Sequence, residues 1–246
     1  MSDERPPNLI ECFERPESVA EVDSLDALKA GIKNNPKGWF YLNLHSKRMG
    51  TAAIKKLAKS PALKRVIHLD LGLNSVGNAG LAAVVGSPHI QQLQILELSW
   101  NDITAEGMTT IASSPNLGEL RKLDLEYNQI GPAGAKILAA SASMPQLFRL
   151  DLRRCYVEDE GAIALATSET LTALRELTVL NANRVTAEGC RVLGMSRLSR
   201  WWRKHHLEEL GAKDLKALAK ANGLRGYSKL KKDALIPLLL DVVGDE

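Results

Sequence analysis

The chain has 246 residues, 45% apolar and 25% charged, a balance that excludes a disordered polyelectrolyte and a low-complexity fibre. Its net charge of +3 is unevenly placed: Arg197 to Lys232 holds eleven Lys or Arg against three acids, a surplus of +8, and the remaining residues sum to −5. Cys12, Cys155 and Cys190 are far apart and form no C-x-x-C, which argues against a disulfide framework and for an intracellular setting, cytoplasmic or nuclear.

The opening stretch, MSDERPPNLIECFERPE, is charged and proline-rich and lacks the apolar run of a secretory signal, so residues 1–22 are predicted to be a disordered arm. The stretch VDSLDALKAGIKNN that follows predicts a capping helix. Ser24 is placed to cap its start, Leu25, Leu28 and Ile32 share one face, and Trp39 and Phe40 are expected to join the cap.

A repeat then takes over. Leu42, Leu69, Leu96, Leu123, Leu150 and Leu177 are spaced by 27 residues each time. Two residues on stand Leu44, Leu71, Leu98, Leu125, Leu152 and Val179, and seven on come Met49, Val76, Ile103, Ile130 and Val157. Each L-x-L pair predicts a short strand with both leucines turned inward. The small residue eleven on (Ala53, Gly80, Gly107, Gly134, Gly161) predicts a close approach where strand passes into helix. Asn74, Asn101 and Asn128 sit five after the first leucine, where a buried amide can bond the backbone of neighbouring coils. Cys155 takes that place in the fifth copy, Lys47 in the first, and Asn183 in a sixth copy that slips by one residue.

LDLGLNSVGNAG, LELSWNDITAEG and LDLEYNQIGPAG match the L-x-x-L-x-L-x-x-N pattern. In them the chain resembles the leucine-rich repeat family, in its ribonuclease-inhibitor-like subtype. The resemblance implies an α/β solenoid over residues 23–198, with parallel strands on a concave face and helices on a convex one. It implies a binding surface rather than a reaction centre.

The residues between the paired leucines are expected to face the concave surface: Asn43, Asp70, Glu97, Asp124, Asp151 and Thr178. Four neighbouring carboxylates about 4.8 Å apart repel one another, so the column must be solvated or paired. Lys122 and Arg149, in the adjacent column, can offset part of that charge. Trp100 and Tyr127 fall side by side on successive copies, and Arg153 and Arg154 follow. Asp70, Glu97, Trp100, Asp124, Tyr127, Asp151, Arg153 and Arg154 are therefore the expected docking residues for a protein partner, Trp, Tyr and Arg being the types that anchor interfaces. An LDL string is also ordinary for this kind of repeat.

Residues 199–206 form a basic, aromatic linker, SRWWRKHH, and Leu198, Trp201 and Trp202 share the helical face that would seal the last coil. His205 and His206 are adjacent, a poor arrangement for one metal ion. From Leu207 to Glu246 the period is gone and two short helices are expected around a turn at LRGYSK, with Leu215, Leu218 and Ala219 on the first and Leu235, Leu238, Leu239 and Val242 on the second. The apolar run ALIPLLLDVV is too short to cross a bilayer. GLRGYSKLKKDALI resembles the helix-loop-helix of the transcription terminator Rho N-terminal domain and, more distantly, the SAP motif. Pro237 departs from that pattern and is tolerated only in a first helical turn. The resemblance implies nucleic-acid contact through Arg225, Tyr227, Lys229, Lys231 and Lys232. Lysines near a helix start can meet phosphates and a tyrosine can stack on a base, although a basic surface can equally be a solvated one.

The sequence holds no H-E-x-x-H, no G-x-x-x-x-G-K-[ST] and no G-x-S-x-G, so no catalytic residue, metal site or cofactor is expected. The expectation is a non-enzymatic scaffold with a protein on its concave face and a tail that contacts nucleic acid. The alternatives are an interaction protein whose basic tail packs on itself or on the acidic column, and an activator like the Ran GTPase-activating proteins, which use a similar solenoid but end in an acidic tail.

Overall fold

Alternation within each repeat is strict enough to set a strand, and the strands stack. In the computed structural model, which describes residues 18–179, 183–196, 211–221 and 224–242, seven strands form one parallel sheet in chain order. They are β1 (Val19–Val22), β2 (Trp39–Asn43), β3 (Val66–Asp70), β4 (Ile95–Glu97), β5 (Lys122–Asp124), β6 (Arg149–Asp151) and β7 (Glu176–Thr178). The register follows the period: Leu42 pairs with Leu69, Leu69 with Leu96, Leu96 with Leu123, Leu123 with Leu150, and Leu150 with Leu177.

Between the strands run helices α1 (Leu25–Asn34), α2 (Thr51–Ala58), α3 (Gly77–Val85), α4 (Ala105–Ala112), α5 (Gly131–Ala139), α6 (Glu158–Ala166) and α7 (Ala187–Met195). Each is too short to persist alone in water and is held by packing. The inward leucines of the strands, the Val76–Ile103–Ile130–Val157 row and helical residues such as Leu81, Met108, Leu138 and Leu165 are all buried in one continuous core. A fully buried leucine contributes about 2 kcal/mol, and this row is repeated on every coil. The result is an α/β solenoid with strands on one face and helices on the other.

The glycines at the eleventh position lie within the helices, not at the strand-to-helix connection. A Cβ on Gly134 would come 2.7 Å from Ile130 Cγ2 and 3.1 Å from both the Ala105 Cα and Met108 Cγ, so the close approach is between successive helices.

The front cap forms as expected in α1. Ser24 Oγ accepts the Ala27 N–H at 3.1 Å, Leu28 is buried, and Leu25 and Ile32 pack against the core. Residues 19–22, assigned by sequence to a disordered arm, instead form β1 and pair in parallel with β2. Phe40 turns inward against Gly31, but Trp39, one residue away on a strand, must face the other side. There it packs with Val19, Ile67 and Ile95, and the Arg65 guanidinium lies 4.1 Å from its ring centroid. Leu198, Trp201, Trp202, His205 and His206 lie outside the described residues.

In the tail, α8 (Ala212–Ala221) and α9 (Lys232–Val242) are joined through Gly226, whose φ of 75° lets the chain reverse, and a 3-10 turn over Tyr227–Lys229. Leu215, Ala219, Leu235, Ile236 and Leu239 form a small separate core. Pro237 sits inside α9 beyond its first turn, so its missing N–H removes one helical bond at this point. No helix among the described residues is long and apolar enough to cross a membrane.

Candidate protein-interaction face

The asparagine column builds the loop that leaves each strand. Asn128 Nδ2 donates to the carbonyls of Leu98 at 2.9 Å and Leu125 at 2.8 Å, while its Oδ1 accepts the N–H groups of Asn101 at 3.2 Å and Ile103 at 2.9 Å. Asn74, Asn101 and Asn183 make the corresponding bonds on their coils. Cys155 keeps only the donor half: its Sγ lies 3.0 Å from the Leu125 carbonyl oxygen. Burial pushes this thiol up to about 12, so it is no nucleophile near neutral pH. Lys47 leaves the ladder and pairs with Asp23 at 3.0 Å.

With the loop fixed, the residue just before the asparagine takes a left-handed conformation. Ser46, Leu73, Trp100, Tyr127 and Arg154 all have φ between 54° and 56°. This column is turned out to solvent, and its large members line up. The rings of Trp100 and Tyr127 stack with centroids 3.7 Å apart and planes 18° apart. Arg154 Cζ lies 4.6 Å from the Tyr127 centroid on the next coil. Leu73 precedes Trp100 in the column, and the two are 44% and 49% exposed, which marks a patch that the chain's own core does not use. Tyr156, two residues past Arg154, is also exposed.

Of the two states open to the acidic column, solvated or paired, the side chains take mainly the second. Asp70 and Asp151 are buried, and Glu97 and Asp124 half-buried. Three of the four serve their own loop: Asp70, Asp124 and Asp151 accept the N–H two residues on, from Gly72 at 2.8 Å, Glu126 at 2.9 Å and Arg153 at 3.0 Å. Asn43 does the same for His45 at 3.1 Å. Histidines and cations supply the remaining partners. His45 Nδ1 lies 3.3 Å from Asp70 Oδ1, and His68 Nε2 lies 3.3 Å from Glu97 Oε2. Lys122 Nζ reaches Glu97 at 2.6 Å. Burial works against the Glu97 charge, but the neighbouring His68 ring and the Lys122 ammonium hold its carboxyl down at about 2.

The two neighbouring arginines part company. Arg153 folds onto the acids, with Nη2 at 2.8 Å from both Glu126 and Asp151, while Arg154 joins the outward ladder. Asp124 has no ion pair among the described residues, and burial together with the Asp151 charge raises its pKa to about 6. One carboxylate oxygen each from Asp124, Glu126 and Asp151 lies within 4.8 Å of the others. Sequence reasoning missed His45 and Leu73, and it placed Tyr41 and His68 only in the column of Lys122 and Arg149, without a role. Tyr41 and His68 stack at 3.9 Å, and the pairing of their columns was readable from the 27-residue spacing.

On the tail, Arg225, Lys229 and Lys231 are exposed around the start of α9, and Lys232, its first residue, is half-buried. Tyr227 packs against the small core, so its ring belongs more to the fold of this unit than to the basic surface. Lys216 Nζ, from α8, donates to the Ser228 carbonyl at 2.8 Å and fixes the turn.

Four stretches, residues 66–85, 89–112, 120–139 and 147–166, match the family model described as Leucine Rich repeat. These four stretches are similar to leucine-rich repeats and coincide with β3 to β6 and the helices that follow them. Among solved structures, an internalin from Listeria monocytogenes is similar at 16% sequence identity and a TM-score of 0.40, over 73% of this chain and 56% of that one. The chain thus spans less than two thirds of that structure's length. A comparison with curated protein sequences finds no match.

Proposed function

We propose that this leucine-rich-repeat solenoid is a non-enzymatic scaffold that holds a protein partner on its strand-bearing face and the adjoining loops. The observation that carries the reading is the outward ladder of Leu73, Trp100, Tyr127 and Arg154. It spans four successive coils, and none of these side chains is part of the buried core. Large aromatics and arginine, here held in a row on loops fixed coil to coil, are the residue types that dominate interface energetics. The charged groups beside them are engaged mainly with one another, which fits a recognition surface better than a reaction centre. Asp70, Glu97, Asp124 and Asp151 then act by shaping the surface and its field, and Arg153 by holding the acids in place.

The test is a pull-down from cell lysate with the parent chain and with Trp100→Ala/Tyr127→Ala. The expected result is loss of a partner that the parent retains, with an unchanged unfolding midpoint. Equal recovery by the two proteins would remove the ladder as an anchor.

The basic tail supports a second contact. Arg225, Lys229, Lys231 and Lys232 gather at the turn before α9, as in the helix-loop-helix units it resembles, and this arrangement fits a nucleic-acid backbone. Lys231→Ala/Lys232→Ala in the full chain is expected to reduce the slope of log affinity against log salt by about two, with binding to single- and double-stranded oligonucleotides read by anisotropy. No binding at low salt would leave the scaffold without a nucleic-acid arm and favour a tail that packs within the protein.

A further inference from the structure

We propose that the Trp100–Tyr127 ladder and the carboxylate recess beside it form one socket, and that its occupant is a protein segment carrying a lysine or arginine next to an apolar residue. The proposal deepens the scaffold reading and rests on it. The apolar half of the socket is the row of exposed Leu73 and Trp100 with half-buried Tyr127, fixed in place by loops whose backbone is bonded coil to coil. Such a row takes an aliphatic or aromatic side chain by excluding water from its edges.

Charge decides what accompanies that side chain. Asp124 and Glu126 stand on the same coil as Tyr127, three residues and one residue before it, and Asp151 on the next. Three carboxylates there meet one guanidinium in direct contact, that of Arg153, which spends its Nε and Nη2 donors on Asp151 and Glu126, while Arg154 acts on Glu126 only through its field. Lys122, on the strand of Asp124, is already held by Glu97 at 2.6 Å. Asp124 is left with the Glu126 N–H and no ion pair among the described residues. A recess with more negative than positive charge beside an apolar row complements a basic residue beside an apolar one. The raised pKa of Asp124 agrees with this, because an acid disfavoured by burial and by Asp151 gains from any cation brought to it. Arg154, beside Tyr127 at the recess end of the ladder, adds a positive charge there that still leaves the three carboxylates in excess.

The experiment is selection of a displayed random heptapeptide library on the immobilised full-length protein, followed by affinity measurement of the leading synthetic peptide. The expected result is enrichment of Lys or Arg within two positions of Leu, Phe or Trp. The leading peptide is expected to bind at least tenfold more weakly to Asp124→Asn, to Trp100→Ala, and when its own basic residue is replaced by Gln. Both protein variants are checked for parental circular dichroism. Enrichment of acidic or uncharged sequences, no enrichment, affinity indifferent to Asp124→Asn, or binding that requires added calcium would each overturn the proposal. If the pull-down loses its partner on Trp100→Ala/Tyr127→Ala while the library returns no basic motif, this inference fails and the scaffold reading stands.

Discussion

Asn128→Ala is expected to lower the stability of the chain by about 3–5 kcal/mol, measured as a shift in the urea unfolding curve. The side chain joins its own coil to the one before it: two carbonyls, of Leu98 and Leu125, and two N–H groups, of Asn101 and Ile103, depend on it. It is buried, so water has little access to the groups left behind. An orphaned buried backbone group costs about 1–3 kcal/mol, and four that share one site add less than fully. The fifth coil supplies a control written into the chain. Cys155 occupies the same place and keeps a donor to the Leu125 carbonyl but has no amide oxygen to accept N–H groups. Asn128→Cys should therefore fall between the parent and Asn128→Ala. A loss of less than about 0.5 kcal/mol for Asn128→Ala would mean that the ladder is ornamental and that leucine packing alone fixes the coils.

The period of 27 made the sheet readable before any coordinates, because parallel pairing in register follows directly when inward leucines recur at one interval. The asparagine ladder with its slip to Asn183 and the proximity of Trp100 and Tyr127 follow from the same spacing, and the Ser24 cap from the local pattern of the helix it starts. Spacing tells which face a side chain leaves from. It does not tell which neighbour the side chain then chooses. Asp70, Asp124 and Asp151 leave toward the sheet face as alternation requires, yet each bends back to an N–H two residues on. Arg153 and Arg154 look alike in sequence and diverge because the positive φ of Arg154 turns it outward while Arg153 stays over the acids. The repeat glycines were legible as sites of close approach but not as helix-to-helix contacts, since the helices begin earlier than the motif alone suggests. Where the period stops, legibility falls. Residues 19–22 carry too few apolar positions to announce a strand, and Pro237 is a residue that pattern reasoning keeps out of a helix interior.

Asp124→Asn is expected to stabilise the chain at pH 7 and to flatten its stability between about pH 4 and pH 6. The carboxyl of Asp124 is raised to about 6 by burial first and by the Asp151 charge second, against a usual value near 3.8. The folded state therefore binds a proton more tightly at this site than the unfolded chain does. Below the usual carboxylate range both states are protonated and the group is neutral to stability. As pH rises toward 6 the unfolded chain ionises first, and folding then has to keep the proton or accept a second charge beside Asp151. The penalty grows through that window and is constant above it. A shift of about two units corresponds to about 3 kcal/mol as a ceiling, and solvent access at this half-buried site brings the expected gain nearer 1–2 kcal/mol. Asparagine can take over the structural task, because Asn43 already accepts the N–H of His45 in the same manner. Its amide can also donate to Asp151, where a carboxylate would repel it. Urea midpoints of parent and variant at pH 4.5, 6 and 7.5 should diverge as pH rises. Parallel curves would show that Asp124 ionises no differently in the folded chain than in the unfolded one. A variant less stable than the parent at pH 7.5 would show instead that the charge is satisfied by something within the face itself, and the recess would then hold no surplus for a partner's cation to meet.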